Sequence, residues 1–196
     1  MNFRKFINIF KKKPFPFFFT NILLSIYYHS KIDLGARIYF PFNLKLGKSV
    51  LIDRCVIYAE GSGIYIDSNV SIGYGSYLNS LKGSISVKSN TSIGPYVIIY
   101  GQFKVVIGEN CLIASQSSLI ASNHITKSLD IPINKQGTYG NGITINNNVW
   151  IGSNATILDG VSIGAGSIIG AKSLVNKDFE DNSILCGIPA KVIKKR

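Results

Sequence analysis

The sequence predicts an all-β chain wound as a parallel β-helix. Three observations carry that expectation. Aliphatic residues recur every six positions, glycine often follows them, and the 3.6-residue apolar spacing of a helix is missing from the same segments. Stepping by six gives Leu46, Ile52 and Tyr58; Ile66, Ile72 and Leu78; Val87, Ile93 and Ile99; Ile107, Ile113 and Leu119. An unbroken run then follows: Ile145, Ile151, Ile157, Ile163, Ile169 and Val175. Of these 18 positions, 17 are Ile, Leu or Val, which chance does not produce.

The period has a physical reading. Four residues after the aliphatic comes, in most repeats, a small or β-branched side chain, as at Val50, Val56, Val70, Thr91, Cys111 and Ala155. That residue shares a strand face with the next aliphatic, and the residue between them points the other way. Six residues therefore hold one short strand and one turn, with glycines such as Gly73 and Gly152 easing the turn. The grouping in threes implies three strands per coil and about six coils over residues 46–180, after a looser start near 32–42. Periodicity leaves the handedness open, and the general crossover preference is right-handed.

Three segments follow in chain order. Residues 1–31 form a basic, aromatic arm: they hold six basic side chains and no acid, and seven of the 11 phenylalanines lie in the first 19 residues. Phe3, Phe6, Ile7 and Phe10 have helical spacing, and Pro14 and Pro16 interrupt it. The apolar run 17–28 is shorter than the ~20 residues a membrane span needs. The arm either lies on an anionic membrane surface or packs as a helix on the main domain or a neighbouring subunit. Residues 32–180 are the repeat domain, with an inserted loop at 125–142. Residues 181–196 are a basic tail, in which the last six residues carry +4. Arm and tail are placed to cover the two open ends of the stack.

Charge and composition exclude several classes. Apolar residues make up 46% and charged ones 16%, which rules out a charged disordered chain. The net charge of +11 sits almost entirely in the two ends, and no nucleic-acid recognition motif accompanies it. Three scattered cysteines form neither a disulfide framework nor a zinc motif, so a reducing cytoplasm fits. Only two histidines exist, which excludes a three-histidine metal site; no metal is expected.

His124 is the outstanding candidate. It occupies an outward position, it is the only histidine in the repeats, and the irregular loop of 18 residues begins directly after it. An imidazole, titrating near neutral pH, suits a general base. Trp150 also counts outward and begins the coil after the loop, which places it across a corner from His124. Cys111 counts inward, where a thiol is inert. His29 has no comparable setting.

The runs I151-G-S-N-A-T, I157-L-D-G-V-S, I163-G-A-G-S-I and I169-G-A-K-S-L resemble the hexapeptide-repeat acyltransferases, as do N147-N-V-W-I-G-S-N-A-T-I and the ending C186-G-I-P-A-K-V-I-K-K-R. The resemblance spans about residues 46–194 and is greatest to acetyltransferases of sugar hydroxyls, capsule and O-antigen polysaccharides included. It implies a left-handed β-helix, a homotrimer with sites between subunits, acetyl-CoA as co-substrate and a carbohydrate acceptor. It implies His124 as the base for direct attack on the thioester and Trp150 beside the acetyl group or sugar. Ser153 would face the oxyanion through its N–H. Ala171 would lie along the pantetheine arm, with Asn176, Lys177, Lys191 and Lys194 near the coenzyme phosphates. Asn176 stands where the family often has Thr, and Gly94 where small-sugar relatives carry Asn. Asp130, Glu109 or a backbone carbonyl would orient His124. An N-acetyltransferase of amino sugars would share fold and base; a non-catalytic scaffold is the remaining alternative. The expected location is the cytoplasm, at the inner membrane face if the arm binds lipid.

Overall fold

The computed structural model describes residues 16–196. The expectations for the first 15 residues lie outside that range. Helix α1 (Phe17–Tyr28) starts after Pro16 and stops at His29, whose left-handed φ of 49° lets the His29 and Ser30 N–H groups bond back to Ile26 and Ser25. The helix buries Asn21 and Leu24. Asn21 Nδ2 donates to the carbonyls of Asp33 (3.0 Å) and Ala36 (2.8 Å), and the Tyr28 hydroxyl donates to that of Leu44 (3.3 Å). These contacts reach across the first coil, so α1 closes the N-terminal end of the stack. This part of the arm packs on the repeats; at 12 residues it is too short to cross a membrane.

The repeats then run coil by coil. The first coil is β1 (Lys31–Ile32), β2 (Arg37–Tyr39) and β3 (Leu44–Leu46). The second is β4 (Leu51–Ile52), β5 (Val56–Tyr58) and β6 (Gly63–Ile66); the third is β7 (Ser71–Ile72), β8 (Tyr77–Asn79) and β9 (Ser84–Val87). The fourth is β10 (Ser92–Ile93), β11 (Ile98–Tyr100) and β12 (Val105–Ile107). The fifth contains β13 (Leu112–Ile113), β14 (Ser118–Ile120), then β15 (Asn123–His124) and β16 (Thr138–Tyr139) of the loop, then β17 (Ile143–Ile145). The sixth is β18 (Trp150–Ile151), β19 (Thr156–Leu158) and β20 (Ser162–Ile163). The seventh is β21 (Ile168–Ile169), β22 (Leu174–Val175) and a single bridge from Phe179 to Ile163.

Equivalent strands pair in parallel from coil to coil and make three faces. The chain has the left-handed parallel β-helix fold expected from the family resemblance. On the first face Ile32, Ile52, Ile72, Ile93, Ile113, Ile151 and Ile169 stack in register, all buried. The other faces carry equivalent columns, each buried Ile or Leu contributing about 1.5–3 kcal/mol. The six coils from residue 51 onward are preceded by a regular one. Within residues 32–42, expected to be loose, Ile32 and Arg37–Tyr39 pair in register with the second coil.

Three details differ from the count by six. Between Ile52 and the next inward residue the turn is one residue shorter, so Cys55 and Ile57 point in, Tyr58 points out and Val56 is only half-buried. A one-residue slip flips every side chain of a strand, which is why the step of six fails there. The glycines after the aliphatics serve close approach between coils more than turn shape: a Cβ on Gly152 would lie 2.6 Å from the Ala171 nitrogen. Positive φ falls two residues later, at Asn69, Asn90, Asn110, Asn148 and Asn154 among others. Asparagine tolerates that left-handed region because its short polar side chain bonds locally. Finally, the tail does not lie across the C-terminal end. It is a hairpin, β23 (Ser183–Gly187) and β24 (Ala190–Lys195), that extends the first face by one parallel and one antiparallel strand.

Candidate active site

The candidate residues fall into two groups. The first lies at the corner after the second face, in coils five to seven. Here the chain leaves the solenoid through β15 and returns through β16, and the two strands pair antiparallel with Asn123 opposite Tyr139 and His124 opposite Thr138. Gln102, one coil below, donates from Nε2 to Thr138 Oγ1 at 2.7 Å. The loop is ordered by its own bonds: Gln136 Nε2 donates to the carbonyls of Ser128 (2.8 Å) and Ile131 (2.7 Å). It still presents Leu129, Ile131 and Ile133 to the outside, Leu129 being 99% exposed.

His124 is exposed, and among the described residues its imidazole has no hydrogen-bond or ion-pair partner. Neither carboxylate considered for orienting it does so. Glu109 sits at a different corner, between the third and first faces, where its carbonyl accepts from Asn148 N. Asp130 lies out in the loop, its N–H on Ser128 Oγ.

A third carboxylate, Asp159, sits one coil above His124 at the same corner. Its Oδ1 accepts from the backbone N–H groups of Asn141 (3.0 Å) and Gly142 (2.9 Å). Its Oδ2 accepts from Asn123 Nδ2 at 3.2 Å and from Asn141 N at 3.0 Å. Gly140 threads beside it, where a Cβ would come within 2.6 Å of the Phe103 ring and 2.8 Å of Asp159 Oδ1. In the sequence Asp159 appears only as one residue of the repeat run I157-L-D-G-V-S, and nothing there marks it as part of the site. Asn176 and Lys177 stand exposed on the same corner one coil higher, with Lys177 Nζ 5.7 Å from the centre of the Phe179 ring.

The second group lies on the first face and its adjoining corner. Trp150 is half exposed between Leu112 and Ile168 of neighbouring coils. Ser153 follows at the corner, its Oγ 3.4 Å from that of Ser115 and its carbonyl accepting from Lys172 N at 2.9 Å. Ala171 is exposed directly above Gly152. Lys191 and Lys194 project from β24, opposite Cys186 and Ile184. Their neighbour Lys195 pairs with Glu180 at 3.1 Å, so part of the tail's charge is compensated.

Within one chain the two groups do not meet. His124 and Trp150 were expected on either side of one corner; the whole third face separates them, roughly 15–20 Å of strand and turn. Two of the three cysteines contribute no nucleophile to either group. Cys111 is buried with Sγ on the Asn146 carbonyl at 3.1 Å, and burial raises its pKa. Cys55 is buried too, its pKa raised to about 12. Cys186 is exposed.

Comparison with known proteins agrees with this architecture. Residues 142–177 match the bacterial transferase hexapeptide (six repeats) family. The chain is 34% identical over 149 residues to the putative lipopolysaccharide biosynthesis O-acetyl transferase WbbJ of Escherichia coli K12, an alignment covering 72% of this chain and 76% of WbbJ. Among solved structures it is similar to the polySia-specific acetyltransferase NeuO, with a TM-score of 0.62 and 26% identity over 78% of this chain and 71% of NeuO. It also shares its fold with AntD, an N-acyltransferase from Bacillus cereus solved with dTDP and coenzyme A, at a TM-score of 0.63 and 23% identity over 89% and 88% of the two chains. With a six-residue repeat, a three-faced solenoid and a relative matched over most of its length, the chain belongs to the hexapeptide-repeat acyltransferase family.

Proposed function

We propose that this chain transfers the acetyl group of acetyl-CoA to a sugar hydroxyl of a bacterial surface polysaccharide, capsule or O-antigen, or of its lipid-linked precursor. The observation that carries the reading is His124: exposed at the mouth of an inserted loop, held by a backbone ladder, with its imidazole uncommitted. The names of WbbJ and NeuO support acetyl transfer to glycans in relatives of this chain. In the reaction the imidazole takes the proton of the acceptor hydroxyl as its oxygen attacks the thioester carbonyl. The Ser153 N–H faces the oxyanion that forms. Collapse expels the thiolate of coenzyme A, which recovers the proton from the imidazolium. The products are an acetyl ester and free thiol. Trp150 packs against the acetyl group or the sugar ring. Ala171, Asn176, Lys177, Lys191 and Lys194 hold the coenzyme.

The active unit is a homotrimer. His124 and Trp150 serve one reaction only if each site takes them from different chains, since a face lies between them in one chain. The apolar tip of the loop and the exposed Leu112 and Trp150 on the first face are the surfaces such packing would cover. The enzyme works in the cytoplasm, at the inner membrane face. There the basic residues of the arm and the outward Phe18, Leu23 and Ile26 of α1 meet anionic lipid.

Kinetics of His124→Ala test the base. Acetyl-CoA binding and fold should be retained while the rate falls by about 10²–10⁴; a fully active variant overturns the assignment. Screening monosaccharides, sugar nucleotides and polymer with labelled acetyl-CoA identifies the acceptor. A product label removed by mild alkali marks an ester, whereas a stable one marks an amide and an amino-sugar acceptor.

A further inference from the structure

We infer that Asp159 is a positioning residue for His124, acting by clamping the neck of the inserted loop; this rests on the reading of His124 as the base. The neck itself is weak. It is an antiparallel ladder of two residue pairs, far below what a hairpin needs to hold its own shape. Yet His124 is the last residue of the outgoing strand, so its backbone direction depends on that ladder. The solenoid holds the returning strand from below through Gln102 on Thr138, and Asp159 supplies the restraint from above, where it ties both strands of the neck. One carboxylate takes the side chain of Asn123, the residue before His124, and both backbone N–H groups where the loop returns, at Asn141 and Gly142.

The surrounding packing fixes the same geometry. Gly140 is threaded between the Phe103 ring and Asp159 with no room for a Cβ. The Gly160 N–H donates to the Gly142 carbonyl at 2.7 Å, tying the residue after Asp159 to the returning strand. Hydrogen bonds to an ionised carboxylate are about twice as strong as neutral ones. An amide at position 159 has the same shape but turns its NH₂ toward donors that need an acceptor. The neck then loosens while the coils below, whose ladder is independent of Asp159, stay as they are. Displacing a catalytic group by about 1 Å costs about 100-fold in rate, because the base no longer reaches the hydroxyl at the start of attack.

The test is a double-mutant cycle in the full-length protein, with kcat, KM for acetyl-CoA and the unfolding midpoint measured for each variant. Asp159→Asn should lower kcat by about 10- to 100-fold with KM for acetyl-CoA and the midpoint nearly unchanged. Asn123→Ala, which removes only the bond on the His124 side and leaves the return of the loop intact, should show a smaller loss of the same kind. In a His124→Ala background Asp159→Asn should have no further effect on the residual rate, since a residue acting through another loses its role with it. Asp159→Asn at full rate, or losses that multiply in the double variant, overturns the proposal. Loss in His124→Ala alone with a fully active Asp159→Asn refutes the clamp and leaves the base intact; a fully active His124→Ala refutes the base itself.

Discussion

Replacing Ile57 by Ala and, separately, Tyr58 by Ala tests the inward register of the second coil. Ile57 is fully buried in the second-face column between Ile38 and Leu78. Truncation removes three carbons, each worth about 0.8 kcal/mol of transfer free energy, or about 2.4 kcal/mol together. The cavity left in a stack held by coils on both sides adds to this, so the loss should be about 3–4 kcal/mol, within the 2–5 kcal/mol usual for Ile→Ala. Tyr58 points outward, with its ring stacked on Tyr39 at 4.1 Å and 2° between planes. Losing that stack and some partly buried area should cost about 1 kcal/mol. Urea unfolding followed by circular dichroism, at one protein concentration so that the proposed subunit association does not bias the comparison, reads both values. If Tyr58→Ala were the more damaging, the uninterrupted step of six would be right and the shortened turn wrong.

Two further outcomes follow from burial. In native protein Cys186 should react with a thiol reagent quickly, while Cys55 and Cys111 react only after unfolding, which peptide mapping of the labelled sites would reveal. The folded state holds Cys55 protonated up to about 12, against 9.0 ordinarily. The unfolded chain therefore binds fewer protons above pH ~9, and stability falls as pH rises through that window; Cys55→Ala should flatten the alkaline limb of the stability curve. Removing residues 1–19 should weaken sedimentation with anionic liposomes while sparing acetylation of a soluble oligosaccharide, and trimer collapse on truncation would instead assign the arm to packing.

The solenoid was readable because its core is one-dimensional. Each aliphatic stacks on its equivalent one coil away, so a local period carries the whole architecture, and all 17 aliphatic positions found by the step of six are buried. Tyr58 escaped because a single missing turn residue shifts the phase without altering composition. The left-handed turn positions are less legible, because asparagine fills them as well as glycine and is common in turns of every kind. The candidate site was only half legible. His124 and Trp150 stand out by type, outward phase and their places beside the loop. Their separation by a full face depends on how many strands intervene within a coil, and outward phase alone does not report that. Asp159 was invisible because it meets its partners 17 to 36 positions away, across coils and across an aperiodic loop.

Subunit mixing tests the shared site most directly. His124→Ala and Trp150→Ala should each be nearly inactive as homotrimers. Unfolded together in equal amounts and refolded, they form mixed trimers. Any interface that takes His124 from one chain and Trp150 from its neighbour is then complete. Random assembly makes about one quarter of interfaces complete, so about a quarter of wild-type acetyl transfer should return. Recovery no greater than the sum of the two separate variants would contradict a site built from two chains.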